Sequence, residues 1–301
     1  MKNVLKYYYK LVPSTIHQLN NDYRCLVNKD EYLFKRVQIN AEEILTFSDL
    51  NEYLINNGLL CHKIIKNINQ SLITYIDGNS YILLHLLVSD REIIERDLLA
   101  FSGFFLEKSK YPILDRSNWY NMWTQKIDYI EYQVSQLGKN YPLIRKTINY
   151  YIGLAETSIS LISNQKKNLL YLCVSHKRIK NKARLRDLYD PLSLVLDVRV
   201  RDLSEFYKER FFSNKIEIES LKQMLLSYKL NNSEVIYFLA RLIFPSYYFD
   251  CYQEIVLGQL EEIQLNRYIH KVEEYQMFLK YVYFYLRQFY DIPEIEWIIK
   301  T

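Results

Sequence analysis

The chain is poor in glycine and proline, with six of each in 301 residues, and its first glycine is Gly58. A glycine-rich phosphate loop near the start is therefore excluded, and no G-x-x-x-x-G-K-[ST] loop occurs anywhere. Four cysteines, Cys25, Cys61, Cys173 and Cys251, lie too far apart for a C-x-x-C pair. That spacing gives neither a zinc framework nor a disulfide scaffold, and it fits reduced thiols in a cytoplasmic protein. The histidines, His17, His62, His85, His176 and His270, are scattered without metalloprotease spacing, and no G-x-S-x-G elbow is present. No uncharged apolar run approaches the ~18 residues of a membrane span. The longest, 81–88, is interrupted by His85. Residues 1–12 are rich in lysine and tyrosine and lack the apolar core of a signal peptide. A net charge of +4 makes no case for nucleic acid by itself.

What remains is a chain able to build a large core: 49% of its residues are hydrophobic. The 29 tyrosines, beside 14 phenylalanines and 3 tryptophans, accompany many Ile, Asn and Lys and partly reflect a coding bias. The first ~90 residues have strand character. Runs at 23–27 and 32–37 flank the turn-forming Asn28-Lys29-Asp30-Glu31, and runs at 71–75 and 80–88 flank Asp77-Gly78-Asn79. Between the two hairpins, helical spacing runs over 41–56, with Gly58 where a C-terminal cap belongs. From residue 90 the pattern is helical: 90–105, 117–137, 141–162, 201–212, 215–228, 232–243, 246–263, 267–287 and 293–300. Short apolar runs at 169–174 and 192–196 read as strands within it. The expected organisation is an α+β chain with a small lobe at 1–89 and a mostly helical lobe at 90–301. The aromatic residues Tyr247, Tyr248, Phe249 and Tyr252 read as core. The rings surrounding 275–290 imply deep burial of that helix.

This order resembles the protein-kinase-like fold of aminoglycoside phosphotransferases and choline kinases. Cys173-Val174-Ser175-His176-Lys177-Arg178-Ile179 sits where that superfamily's catalytic loop falls, and Asp197-Val198-Arg199-Val200-Arg201-Asp202-Leu203-Ser204-Glu205-Phe206 resembles the segment after its metal site. Ala240-Arg241-Leu242-Ile243-Phe244-Pro245-Ser246-Tyr247-Tyr248-Phe249-Asp250 is similar to a phrase of the spore-coat-associated CotS and YutH-like branch of Bacillus relatives. The resemblance implies a bilobal fold, a small antiparallel-sheet N-lobe and a mostly helical C-lobe.

The resemblance also says what each site position should hold. A strand lysine should hold the nucleotide phosphates and pair with a helix glutamate. Lys35 suits the lysine, and Glu43, with Glu42 and Glu52 as alternatives, suits the partner. An aspartate two residues after the loop histidine should accept the acceptor's proton, and an asparagine five residues further should bind metal. Here His176 is followed by Arg178 and Ala183 at those positions. A guanidinium accepts no proton near neutral pH, and a methyl group ligates nothing. Asn181 is a neighbouring donor. Asp187, Asp190 and Asp197 all lie in range of the metal position, and Asp197 best follows a strand; Asp202 is similar to the structural aspartate that opens the next helix. Lys177, Arg178, Lys180, Lys182, Arg184 and Arg186 form a basic run suited to an anion. It lacks the interleaved aromatics of an RNA reader, so no specific nucleic acid is expected.

The expectation is a pseudokinase that binds or assembles, spore-associated by the resemblance, with a protein or an anionic small molecule as partner. ATP and magnesium enter only if nucleotide binding is retained. The alternatives are an atypical phosphotransferase with displaced catalytic groups and a helical interaction protein unrelated to kinases.

Overall fold

A computed structural model of the chain describes residues 1–165, 169–179 and 183–300. These fall into two compact units: 1–101, 109–114 and 183–195 form the first, and the remainder form the second. The composition break near residue 89 follows the chain, whereas the compact units interleave along it, because 183–195 packs with residues 1–101.

In the first unit α1 (Lys2–Tyr9) precedes strands β1 (Thr15–Leu19), β2 (Asp22–Val27) and β3 (Asp30–Val37), then α2 (Ala41–Asn56), then β4 (Lys63–Ile65), β5 (Thr74–Ile76) and β6 (Asn79–Leu86). The sheet order is β1-β2-β3-β6-β4 with β5 also on β6, and every pairing is antiparallel. An all-helical N-terminal region, the mark of a chain unrelated to kinases, is thereby ruled out. Turn chemistry sets the registers. Leu19 faces Asp22, Val27 faces Asp30 and Ile76 faces Asn79, which leaves two-residue loops. Asn20, Asn28, Asp77 and Gly78 take the positive φ that such loops need.

Strand alternation divides the sheet's faces. Cys25, Phe34, Tyr81 and Leu83 pack with Leu5 and Tyr9 of α1. Leu33 and Lys35 of β3 and Leu84 and Leu86 of β6 therefore point the other way. Asn40 caps α2 by accepting from the Glu43 amide at 2.7 Å, and Ile44, Phe47, Leu50 and Leu54 bury its apolar stripe.

After α3 (Glu95–Ser102) the chain forms a three-stranded sheet, β7 (Phe105–Glu107), β8 (Tyr171–His176) and β9 (Leu194–Asp197), in that order; β7, β8 and residues 196–197 of β9 belong to the second unit. Its helices are α4 (Trp119–Leu137) and α5 (Pro142–Ser163). The single turn α6 (Leu185–Leu188) belongs to the first unit. There follow α7 (Arg201–Phe212), α8 (Ile218–Tyr228), α9 (Asn232–Ile243), α10 (Ser246–Val256), the turn α11 (Asn266–Ile269), α12 (Val272–Arg287) and α13 (Glu296–Lys300). Tyrosines build much of this core: the Tyr151 and Tyr248 rings stack at 3.6 Å, and Phe211, Tyr247 and Tyr275 are buried beside them.

The helix expected at 90–105 is shorter and yields to β7. The one expected at 246–263 stops at Val256, before Gly258 at φ +71°. Nor is α12 buried all round: Tyr275, Phe278 and Tyr283 face the core, while Tyr281 and Phe284 are exposed, as is Phe289 beyond its end. Among the described residues no helix is long and apolar enough to cross a membrane.

Candidate functional site

Lys35 lies on the third strand, on the face away from α1, and forms an ion pair with Asp190. Burial works against its charge. Asp190, with Asp22 and Asp187 behind it, more than offsets that and holds the lysine pKa above its ordinary value. The pairing with Glu43 expected from the sequence is not the one formed. Glu43 sits in the first turn of α2, and Asp190 takes the lysine because it caps the turn Pro191–Ser193 on this sheet face, accepting from the Leu192 amide at 3.0 Å.

The segment that delivers Asp190 is bound along its length. Arg184 Nε donates to Asp90 Oδ1 at 3.0 Å, and the Leu185 amide donates to the Arg91 carbonyl at 2.8 Å. Arg186 Nε donates to the Val88 carbonyl at 3.1 Å, and its guanidinium pairs with Glu31, which Arg24 also meets at 3.0 Å. His62, a residue the sequence offered no signal for, fastens the middle. Its Nδ1 accepts from the Leu87 amide at 3.1 Å, so Nε2 carries the hydrogen and donates to the Arg186 carbonyl, also at 3.1 Å. Burial pushes its pKa down to about 4. A cavity of about 280 Å³ remains, lined by Leu33, Leu84 and Leu86 with Arg24, Lys35, Asp90, Arg184, Arg186, Asp187 and Asp190.

In the second unit β8 ends at His176. Asp202, in the first turn of α7, accepts from the His176 amide at 3.0 Å and from its Nδ1 at 2.7 Å. Arg201, one residue earlier, donates to the carbonyls of His176 at 2.8 Å and Lys177 at 2.9 Å, and pairs with Asp197. Asp197 is fully buried at the end of β9, and its other oxygen accepts from the Val198 amide at 2.6 Å. Burial pushes its carboxyl pKa up against the pull of Arg201 and Arg241.

Arg178, two residues after His176, makes a two-pronged contact with Asp250: Nε to Oδ2 at 2.8 Å and Nη2 to Oδ1 at 3.0 Å. Lys126 approaches the same carboxylate at 3.4 Å. Burial disfavours the arginine's charge, but Glu205 and Asp250 hold its pKa above the ordinary arginine value, so it stays cationic. A buried cluster lies among α7, α9 and α10. Glu205 accepts from Arg241 at 2.7 Å and from Lys208 at 2.9 Å, and Lys208 also reaches Ser246 at 2.7 Å. Arg241, Ser246 and Asp250 all come from the one sequence phrase similar to the spore-coat branch. The phrase that marks the branch thus supplies the carboxylate that holds the arginine.

Within the described part of the basic run, the arginines are already paired. Arg178, Arg184 and Arg186 are each committed to a carboxylate, and they divide between the two units. Lys177 offers its carbonyl to Arg201. Lys180, Asn181 and Lys182 lie outside the described residues. A magnesium ion requires several oxygen donors in near-octahedral array. Asp197 has both oxygens committed, Ala183 offers none, and among the described residues no group of three His, Cys, Asp or Glu could hold a metal. The donor set does not fit the ion.

The model of the family described as spore coat putative kinase YutH matches residues 2–282. No curated protein matches significantly. Among solved structures, an aminoglycoside phosphotransferase from Alicyclobacillus acidocaldarius superposes with a TM-score of 0.68 at 12% identity, covering 96% of each chain. A spectinomycin phosphotransferase in complex with ADP and spectinomycin gives 0.62 at 13%, over 90% of this chain and 92% of its own. An amicoumacin kinase in complex with AMP-PNP and Ca²⁺ gives 0.57 at 13%, with the same coverage. At these identities the likeness is one of fold.

Proposed function

The chain belongs to the spore coat putative kinase YutH family, and from that premise we propose that it acts as a kinase-like binding and assembly component of the spore rather than as a phosphotransferase. The observation that supports this reading is the Arg178–Asp250 contact: the residue two after His176, where the resemblance expects a proton acceptor, is a cation already engaged. Removing a positioned general base lowers a rate by about 10²–10⁴. Two further substitutions act in the same direction. Arg201 neutralises Asp197 at the metal position, and Ala183 stands where a metal-binding asparagine belongs. Without a metal, the charge that develops on a transferring phosphoryl group has lost its main counter-charge.

The fold then serves as a scaffold, and the partner is a protein or an anionic small molecule. Purified protein given ATP, Mg²⁺ and a panel of hydroxyl acceptors, spectinomycin and kanamycin among them, should form no ADP above a protein-free control. ADP formation that disappears in a Lys35→Ala variant would overturn the reading.

A further inference from the structure

An inactive kinase fold can still hold a nucleotide, so the fate of the Lys35 sheet face is a separate question from turnover. That face offers two things a nucleoside triphosphate requires: cations for its phosphates, and backbone polar groups at a strand end for its base. Both are already in use. The basic side chains lining the cavity, Arg24, Lys35, Arg184 and Arg186, each have a carboxylate partner. The carbonyls that follow β6, those of Val88, Asp90 and Arg91, accept from Arg186, Arg184 and the Leu185 amide. The turn between β1 and β2, Asn20-Asn21, has no glycine to let backbone close over a phosphate. The remaining volume of about 280 Å³ lies just under the ~300–1,000 Å³ of drug-sized pockets.

We infer that residues 184–193 form an internal strap occupying the place on this sheet face that a nucleotide would take, so that strap and nucleotide exclude one another. The strap is attached at three separated points: Arg184 with Asp90, Arg186 with Glu31 and His62, and Asp190 with Lys35. It originates more than ninety residues downstream of the strands it covers, so its seating there reflects specific contacts rather than chain proximity. This goes beyond the assembly reading: loss of that reading would appear as turnover, whereas loss of this one appears in binding alone.

The test is titration of the full chain with a fluorescent ATP analogue, with and without Mg²⁺, beside two release variants that keep every cation, Asp190→Asn and Asp90→Asn/Glu31→Gln. Apparent affinity falls by the fraction of molecules with the place open, so each release variant should bind at least about tenfold tighter than the unaltered chain. Equal affinity in all three, or no binding by folded release variants, overturns the strap. A second measurement needs no variant: hydrogen exchange at the Leu185 and Leu192 amides in saturating ATP. Bound nucleotide with those amides newly exposed upholds exclusion. Bound nucleotide with both still protected overturns it.

Discussion

Arg201→Met is the most revealing single substitution. The Asp197 side chain is 0% and the Arg201 side chain 7% exposed, so solvent screens their pair little. Removing the arginine strands a buried carboxylate, a change that typically costs about 3–5 kcal/mol. It also strips a charged donor from the carbonyls of His176 and Lys177. The expected loss is therefore about 4 kcal/mol or more, read by urea unfolding as a midpoint shift of over ~1 M for a slope near 3 kcal/mol per M. The double variant Asp197→Leu/Arg201→Met removes the stranded charge but leaves the two carbonyls and the Val198 amide short of partners. It should recover roughly half of the loss, at about 1–3 kcal/mol for each unsatisfied group. Mg²⁺ should not rescue Arg201→Met, because a single freed carboxylate is too few donors for the ion. A loss below about 1 kcal/mol, or rescue by Mg²⁺, would refute the argument that Arg201 is the built-in counter-charge at this position.

Acid should weaken the first unit through His62. Its folded pKa of about 4 lies below the ordinary histidine value of 6.5, so the folded chain binds fewer protons there. The stabilisation is complete above pH ~6.5 and is lost as pH falls towards 4, by about 3 kcal/mol in all. A His62→Gln variant should show a flatter stability profile across that window, and an unchanged slope would count against the buried neutral tautomer. Gly78→Ala should destabilise the chain by about 1–2 kcal/mol in thermal unfolding. Gly78 sits at φ +74° with nothing within 4 Å of an added Cβ, so strain is the only cost. A neutral result would contradict the two-residue turn.

How far the sequence revealed the structure depended on whether a signal was local. Asp77-Gly78 announced its hairpin because a two-residue turn needs left-handed residues, and the stripe of Ile44, Phe47, Leu50 and Leu54 with Gly58 behind it announced α2, though not its Asn40 cap. β1 was invisible: its Thr-Ile-His-Gln-Leu run is almost wholly exposed and lacks apolar alternation. β4 and β7, three residues each, are too short to carry a period. Arg178 and Ala183 could be read directly once the loop was placed by resemblance. Their partners could not be. Asp250 lies 72 residues from Arg178, and Asp190 lies 155 residues from Lys35, so the fold alone brings them together. The basic run looked available because its carboxylates, Glu31, Asp90 and Asp250, are remote in sequence.

The decisive measurement is phosphorus NMR of ATP and Mg²⁺ incubated with the protein and a small-molecule extract of its native host, which supplies an acceptor without presupposing one. On the proposed binding-and-assembly reading, the γ-phosphate resonance should decay no faster than in a protein-free control. Faster decay, with a new phosphoester signal that vanishes in Lys35→Ala, would contradict the account.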